Sequence, residues 1–337
     1  MPEEPTSSAS SSNFHLARHQ THLKWDNSLP PIQTITSGSE ITFDLLDGGN
    51  NQFDATATTA SLGTFDFSIA DPAHGPIHIS GASPGDVLKI EILSLETASY
   101  GWTAIFPGSV GFGLLADEFP DACLKLWDLE THRTEGFTEF KKGIHIPTRP
   151  FLGVVGVARE QKGEWSTIPP YETGGNIDCR DASTVGSVLY LPVKVEGALL
   201  SIGDGHAAQG DGEVCGTAIE TPMKGRMRIS VIKGMEMPYV DTPSFITAPK
   251  GKMERNGMKE GEGREFTVLG IDADLREASR KAIRGVIAWL VSEKGLLREE
   301  AYMLCSVAAG LRIAEAVDMP HYAVSCCLPL GIFVDEN

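Results

Sequence analysis

GGNIDCRDASTVGSVLYLPVKVEGALLSIGDGHAAQGDGEVCGTAIE, residues 174–220, brackets a strand-like core with two loops rich in glycine and carboxylate. Within SVLYLPVKVEGALLSI the apolar residues Leu189, Leu191, Val193 and Val195 recur at every second position, which is the period of a β-strand. The loop before this run carries Asp178, and the loop after it carries Asp204, His206, Asp211 and Glu213. Such an arrangement is expected to hold Asp178 and His206 at the ends of neighbouring strands, where oxygen and nitrogen donors can meet around a metal or a substrate.

The same pattern extends towards the N-terminus. ITFDLLDGG (41–49), PIHISGASPGDVLKIEILSLE (76–96) and GIHIPTRPFLGVVGVARE (143–160) are short apolar runs broken by Gly and Pro, none with the length or 3.6-residue period of a helix. In SPGDVLKIEILSL, Pro84-Gly85-Asp86 makes a turn, and Val87, Lys89 and Glu91 alternate with Leu88, Ile90 and Ile92 across a strand. Beyond residue 220 the pattern changes. KGRMRISVIKG (224–234) is another strand, and PKGKMERNGMKEGEGREF (249–266) is a charged, glycine-bearing excursion. DADLREASRKAIRGVIAWLVSEKG (272–295) then places Leu275, Ala278, Ala282, Ile283, Val286, Ile287 and Leu290 at helical spacing. Asp272 or Asp274 is expected to cap this helix and Gly295 to stop it. A second helix is expected from Arg298 to Ala308, and LRIAEAVD and HYAVSCCLPLGIF read as closing strands. The fold class is therefore α+β: a predominantly β body, sandwich- or barrel-like, with a C-terminal α/β layer carrying two helices. The domain reading is a disordered tail over 1–13, a β-rich domain over 14–220 and an α/β part over 221–337 packed on it.

Composition narrows the function. The chain has 337 residues, with Lys+Arg 28 against Asp+Glu 45, a net charge of −17 that repels phosphate backbones and anionic lipid. Nucleic acid and membrane are thus poor partners, and no apolar run approaches the roughly 18–20 residues of a membrane-spanning helix. The serine-rich, acidic start lacks a signal-sequence pattern. Six cysteines without a CxxC pair point to reduced thiols and a cytoplasmic setting.

A hydrolytic zinc site takes roughly three protein ligands and leaves one position open. Asp178 and His206 supply two. Asp204, Glu213, Glu220, or His74 and His78 of DPAHGPIHIS are the candidates for the third. In an extended segment positions i and i+4 face one side, which would aim His74 and His78 into one cleft. The plain alternative is that the Gly-Asp-Gly loops are only turns and the histidines only surface or hydrogen-bonded residues. Spacing alone leaves both open. Elsewhere, Trp25-Asp26 can shape a pocket or pack at an edge, and Phe106-Pro107-Gly108 with GFGLL (111–115) can wall a small substrate or fill the core.

Five ordered segments together resemble the acetamidase/formamidase family: HLKWDNSLPPIQTITSG (22–38), DPAHGPIHISGASPGDVLKIEIL (71–93), IPTRPFLGVVGVA (146–158), GGNIDCRD (174–181) and GDGHAAQGDGEVCGTAIE (203–220). The likeness runs from His15 to Phe333. It implies hydrolysis of formamide or acetamide to carboxylate and ammonia, a divalent metal near GGNID and GDGHA (zinc, with calcium as the alternative), and a homo-oligomer. Gly205 stands where larger residues are expected in relatives, and is expected to loosen the loop carrying His206.

Amide hydrolysis needs an activated nucleophile, a stabilised oxyanion and a proton for the departing ammonia. A metal on Asp178 and His206 would serve the first two needs, with Glu213 or Glu220 as general base and acid and Asp178 also in the catalytic set. Asp181 is the less specific carboxylate, and Arg180 is expected to pair with one of these acids. The rival mechanism uses Cys179 or Cys215 as nucleophile, with strand alternation placing Glu213 and Cys215 on one face. A third reading is a binding protein that holds a metal or small ligand without turnover.

Overall fold

The computed structural model describes residues 14–249 and 263–333. The N-terminal tail over 1–13 and most of the charged excursion lie outside the described residues. Two β-sheets packed face to face make the body, as the alternating runs require. In the nine-stranded sheet the order is Phe14–Leu16, Ser39–Leu45, Met223–Ile232, Val87–Thr97, Val188–Pro192, Ser244–Ile246, Glu265–Asp272, Tyr322–Pro329 and Gly310–Glu315. Strands from both sides of residue 220 alternate within it. The second sheet runs Pro170–Tyr171, Gly174–Asn176, Phe151–Gly156, Leu200–His206, Ala73–Ser80 and Thr21–His22, with Gln33–Thr36 parallel to Ala73–Ser80.

Inward-facing side chains of the two sheets form one core. Leu88, Ile90 and Ile92 of the nine-stranded sheet are buried with Leu152, Val155, Leu200 and Ile202 of the other. Lys89 and Glu91, on the outer face, stay partly exposed and pair at 3.3 Å, the polar-out half of the alternation. Burial at about 25 cal/mol per Å² of apolar surface makes this interface the main source of stability.

The apolar run at 187–203 does not form one strand. Val188–Pro192 joins the nine-stranded sheet and Leu200–His206 the other. The chain crosses between them at Gly197, Ala198 and Leu199, all with positive φ (73°, 59° and 56°). Period-2 alternation reports burial, and both strands are buried, so the pattern carries through the crossing without a break.

Helix Leu275–Lys294 starts at Asp274, whose side chain accepts from Glu277 N–H, and ends at left-handed Gly295. Its buried face of Ala278, Ala282, Val286 and Leu290 packs with helix Arg298–Ala308 on strands Glu265–Asp272 and Tyr322–Pro329. Phe266 and Trp289 stack there at 4.3 Å. No described helix is long and apolar enough to cross a membrane.

Candidate active site

Strand Leu200–His206 is followed by irregular chain to Glu220, and both ends of this segment reach one cavity. Its backbone pins Glu220 on two sides: Trp102 N–H donates to Glu220 O at 2.9 Å, and Glu220 N–H donates to Trp102 O at 2.8 Å. A bridge from His206 to Glu220 and the Thr221 N–H bond to Gly205 O at 2.8 Å close the other side. His206 is therefore held in a strand, paired with Phe151. Gly205 does not loosen it: a Cβ there would stand 2.6 Å from both Met223 Cβ and Thr221 O, so the position is packed shut.

Asp178 arrives from the other direction, just after strand Gly174–Asn176. The strand that leads to Asp178 and the strand that carries His206 are next-but-one neighbours, with Phe151–Gly156 between them. Gly153 on that middle strand makes the approach possible, because a Cβ there would overlap Asp178 Oδ1 and Asp204 Oδ2. Gly48 stands in the same relation to Asp204 and Glu220. Asp71, Asp178, Asp204 and Glu213 all have positive φ (49°, 38°, 55° and 47°). Among the described residues, half of the eight non-glycine residues in that conformation thus line one cavity, the clustering of backbone strain that marks functional sites.

His206 is at the centre. Its Nε2 lies 3.0 Å from Asp204 Oδ2 and 3.1 Å from Glu220 Oε2, and its Nδ1 lies 3.6 Å from Asp178 Oδ1. Gln209 sets the tautomer. Its amide nitrogen donates to Asp178 O at 2.8 Å, so its Oε1 is the atom that accepts from His206 Nδ1, also at 2.8 Å. Nε2 therefore faces the carboxylates; it carries the second proton of the imidazolium they stabilise, and a cation bound there would displace that proton, as at metal-ligating histidines.

The acids differ in acidity. Burial pushes Glu220 up to about 8, with the Asp204 charge adding to the push and His206 opposing it. Burial and the Asp178 charge hold Glu213 well above the usual carboxylate range. Burial also raises Asp178 to about 6, assisted by Asp204. Asp204 is the exception: burial would raise it, but the charge and hydrogen bond of His206 bring it below its usual value. Burial opposes a charge on His206, and Asp204 and Glu220 outweigh that and hold the imidazole well above its usual range.

The donor set fits a divalent cation. Three groups bring their ligand atoms within 4.8 Å of one another: Asp178, Asp204 and His206; His206, Glu213 and Glu220; Asp178, Glu213 and Asp318. Asp178 Oδ1 and Asp204 Oδ1 are buried without a hydrogen-bond partner. Uncompensated buried carboxylate oxygens cost free energy that a cation would recover.

His74 and His78 are in none of these groups, nor do they line the cavity. Both lie on strand Ala73–Ser80, where the Nε2 of His74 accepts from Leu46 N–H at 3.1 Å. Burial pushes His74 down to about 4, so it is neutral in the fold and takes a proton near 6.5 when unfolded. Its stabilising contribution is complete above pH 6.5 and is lost as pH falls towards 4. The stability gap between wild type and His74→Asn should therefore narrow by about 2 kcal/mol from pH 7.5 to pH 5. Urea titrations at the two pH values measure it, and a constant gap would refute it.

The stretch carrying Glu213 and Cys215 is not a strand. Glu213 is buried in the cavity wall, whereas the half-buried Cys215 donates its S–H to Thr217 O at 3.4 Å. Cys179 is buried and its thiol is held well above the usual range by burial. Neither sulfur lines the acid cavity. Arg180 pairs with Asp211 at 3.0 Å, and Asp181 with Arg149 at 2.6 Å. Trp25 is buried against Ala73, Val154 and Tyr171 and serves packing.

Sequence reasoning missed Asp71, Asp318 and Asn176. Asp71 opens the segment read for its histidines, and Asp318 ends a segment read as a closing strand. Asn176 Nδ2 donates to Asp318 Oδ2 at 2.9 Å, joining residues 142 apart in the chain. Nothing local to either residue signals that contact.

A β-sandwich with a buried carboxylate–histidine cluster of metal-ligating composition, in a cavity walled by Phe65, Phe67, Trp102 and Phe106, is the class this fold and site define. The chain belongs to the Acetamidase/Formamidase family, whose model matches residues 9–165 and 161–335. It is 26% identical to a formamidase of Methylophilus methylotrophus, over 93% of this chain and 89% of that protein. It is also 26% identical to an acetamidase of Mycolicibacterium smegmatis, over 91% of each. Among solved structures, an acetamidase from Bacillus halodurans superposes with a TM-score of 0.82 at 28% identity, covering 95% of this chain and 98% of that one.

Proposed function

We infer that this chain hydrolyses short aliphatic amides, formamide and acetamide, to the carboxylate and ammonia. The observation that carries the reading is the cavity itself. It has a volume of about 40 Å³, an acidic floor and walls of Phe65, Phe67, Phe106 and Trp102, with no lysine or arginine among its described lining residues. So small a space, with no lysine or arginine to pair a substrate carboxylate, suits a small uncharged substrate better than a carboxylate or a peptide.

Asp178, Asp204 and His206 would hold a divalent ion, and the imidazole in the set favours zinc over calcium. When bound, the ion supplies Lewis acidity, polarising a carbonyl and acidifying a water. Glu213 and Glu220 carry the protons. Burial is the main cause for both: it lifts Glu220 to about 8 and, with the Asp178 charge and a smaller push from Glu220, holds Glu213 well above the usual carboxylate range, so the pair retains a proton at neutral pH. The ionised member accepts the proton of the attacking water, and the neutral member gives one to the departing nitrogen. Water adds its oxygen to the acyl carbon, the C–N bond breaks, and the products are the carboxylate and ammonia.

The six cysteines are all free, which suits a reducing cytoplasmic setting. A homo-oligomer belongs to the same reading, supported by the exposed Leu114, Leu115 and Phe119. Ammonia release from formamide, acetamide and propionamide tests the function. With zinc supplied, formamide or acetamide should turn over. A chelator should stop the reaction and lower the melting temperature, and zinc should restore both. No ammonia from any of the three amides, with metal replete, would overturn the reading.

A further inference from the structure

We propose that Phe112 sets the longest acyl chain the cavity admits, which makes it a specificity-determining residue of the amide site; this rests on the function proposed above. The acidic floor is where the amide group must react, so the acyl chain has only the aromatic side to occupy. Three of the rings there are fixed in place. Phe65, Phe67 and Phe106 contact one another at 4.7–4.9 Å between ring centroids, and Phe65 also stacks on Phe53 at 5.3 Å. Phe106 is buried, and the group forms its own core cluster with Trp102.

Phe112 differs from them in its contacts and its backbone: half-buried like Phe65 and Phe67, it meets Phe67 and Phe106 only edge-on at 5.8 Å, and it stands between Gly111 and Gly113, whose φ values are 72° and 98°. It closes the cavity as a roof. The turn that carries Glu213 holds that roof down: Leu114 N–H donates to Val214 O at 2.9 Å, and Gly113 lies so close to Cys215 that a Cβ would be 2.8 Å from its carbonyl oxygen. Gly216 lies beneath the ring, where a Cβ would be 2.6 Å from Phe112 Cδ1. The ring is thus fixed relative to a proposed proton carrier without touching the acids' hydrogen bonds. Shortening it extends the cavity on the acyl side and leaves the floor as it is.

The test is the ratio of kcat/KM for butyramide to that for formamide, measured on the full zinc-replete chain. One methylene in an apolar pocket changes discrimination by roughly 10–200-fold. Phe112→Ala is therefore expected to raise the ratio by at least about tenfold. Phe112→Leu, which keeps an apolar side chain, carries the same test at smaller amplitude if the alanine protein is unfolded at the assay temperature. Phe112→Trp should lower turnover of acetamide relative to formamide. A purely structural role would lower all amides together and leave these ratios alone. Wild type that turns over formamide, with both ratios unchanged in folded variants, overturns this inference alone. Wild type that releases no ammonia from any amide overturns the amide-hydrolase reading and this inference with it.

Discussion

His206→Ala is expected to lower kcat/KM for formamide by at least about 10³-fold, equivalent to about 4 kcal/mol of transition-state stabilisation. It should also reduce the unfolding free energy by about 3–5 kcal/mol, the range for removing one partner of a buried ion pair. Both effects follow from position. His206 is 1% exposed, and among the described residues its Nε2 is the only cationic nitrogen within 4.0 Å of Asp204 or of Glu220. Without it, Asp204 loses the charge that keeps it acidic, and the orphaned oxygens of Asp178, Asp204 and Glu220 face one another across an empty space. Some of these carboxyls must then take up protons to remain buried, and a neutral carboxyl is a poor metal ligand. Thermal or urea unfolding, ammonia release and the zinc content of the purified variant check the three consequences separately. Wild-type stability with activity within tenfold would show that the cluster is not organised around His206.

Much of the fold was legible because it rests on burial, and burial imposes periods. The three- and four-residue spacing in 275–290 gave the long helix with its Asp274 cap and Gly295 stop, and period-2 alternation gave strand Val87–Thr97. What alternation could not supply was partnership. Nothing in SVLYLPVKVEGALLSI reveals that its two ends belong to different sheets, since each is buried on its own terms. The site divides in the same way. Asp178, His206, Glu213 and Glu220 stand in segments whose glycines and carboxylates drew attention, and the structure brings those four side chains together. Asp71 and Asp318 reach the same cavity from segments whose local pattern was that of ordinary strand ends. His74 and His78 attracted a ligand role through their i, i+4 spacing in an extended segment, but neither lines the acid cavity. A metal-type site built from five chain segments is a property of the fold, and its most remote members are the least visible in the sequence.

Gly153→Ala is expected to reduce kcat/KM by at least about 10²-fold while changing stability by no more than about 1–3 kcal/mol. Position 153 is in the middle of strand Phe151–Gly156, and its φ is not in the left-handed region, so alanine's backbone is permitted there. In the unfolded chain alanine is the less flexible residue, which favours the variant by about 0.4–1 kcal/mol. The added methyl is then the whole perturbation, and it would overlap Asp178 Oδ1 and Asp204 Oδ2 together. Gly153 O also accepts from Ile177 N–H at 3.0 Å, which fixes the backbone just before Asp178. Because the main chain cannot retreat without giving up that bond, the two carboxylates must swing apart. A shift of about 1 Å in the reacting geometry is worth about a hundredfold in rate, whereas the hydrophobic core beneath the strand is untouched. The expected pattern is therefore a folded protein with weakened zinc retention and little activity. Titration with zinc under a competing chelator, alongside the melting temperature, separates this from simple unfolding. A variant that binds zinc as wild type does and works within threefold of it would mean that Asp178 and Asp204 do not act as a pair.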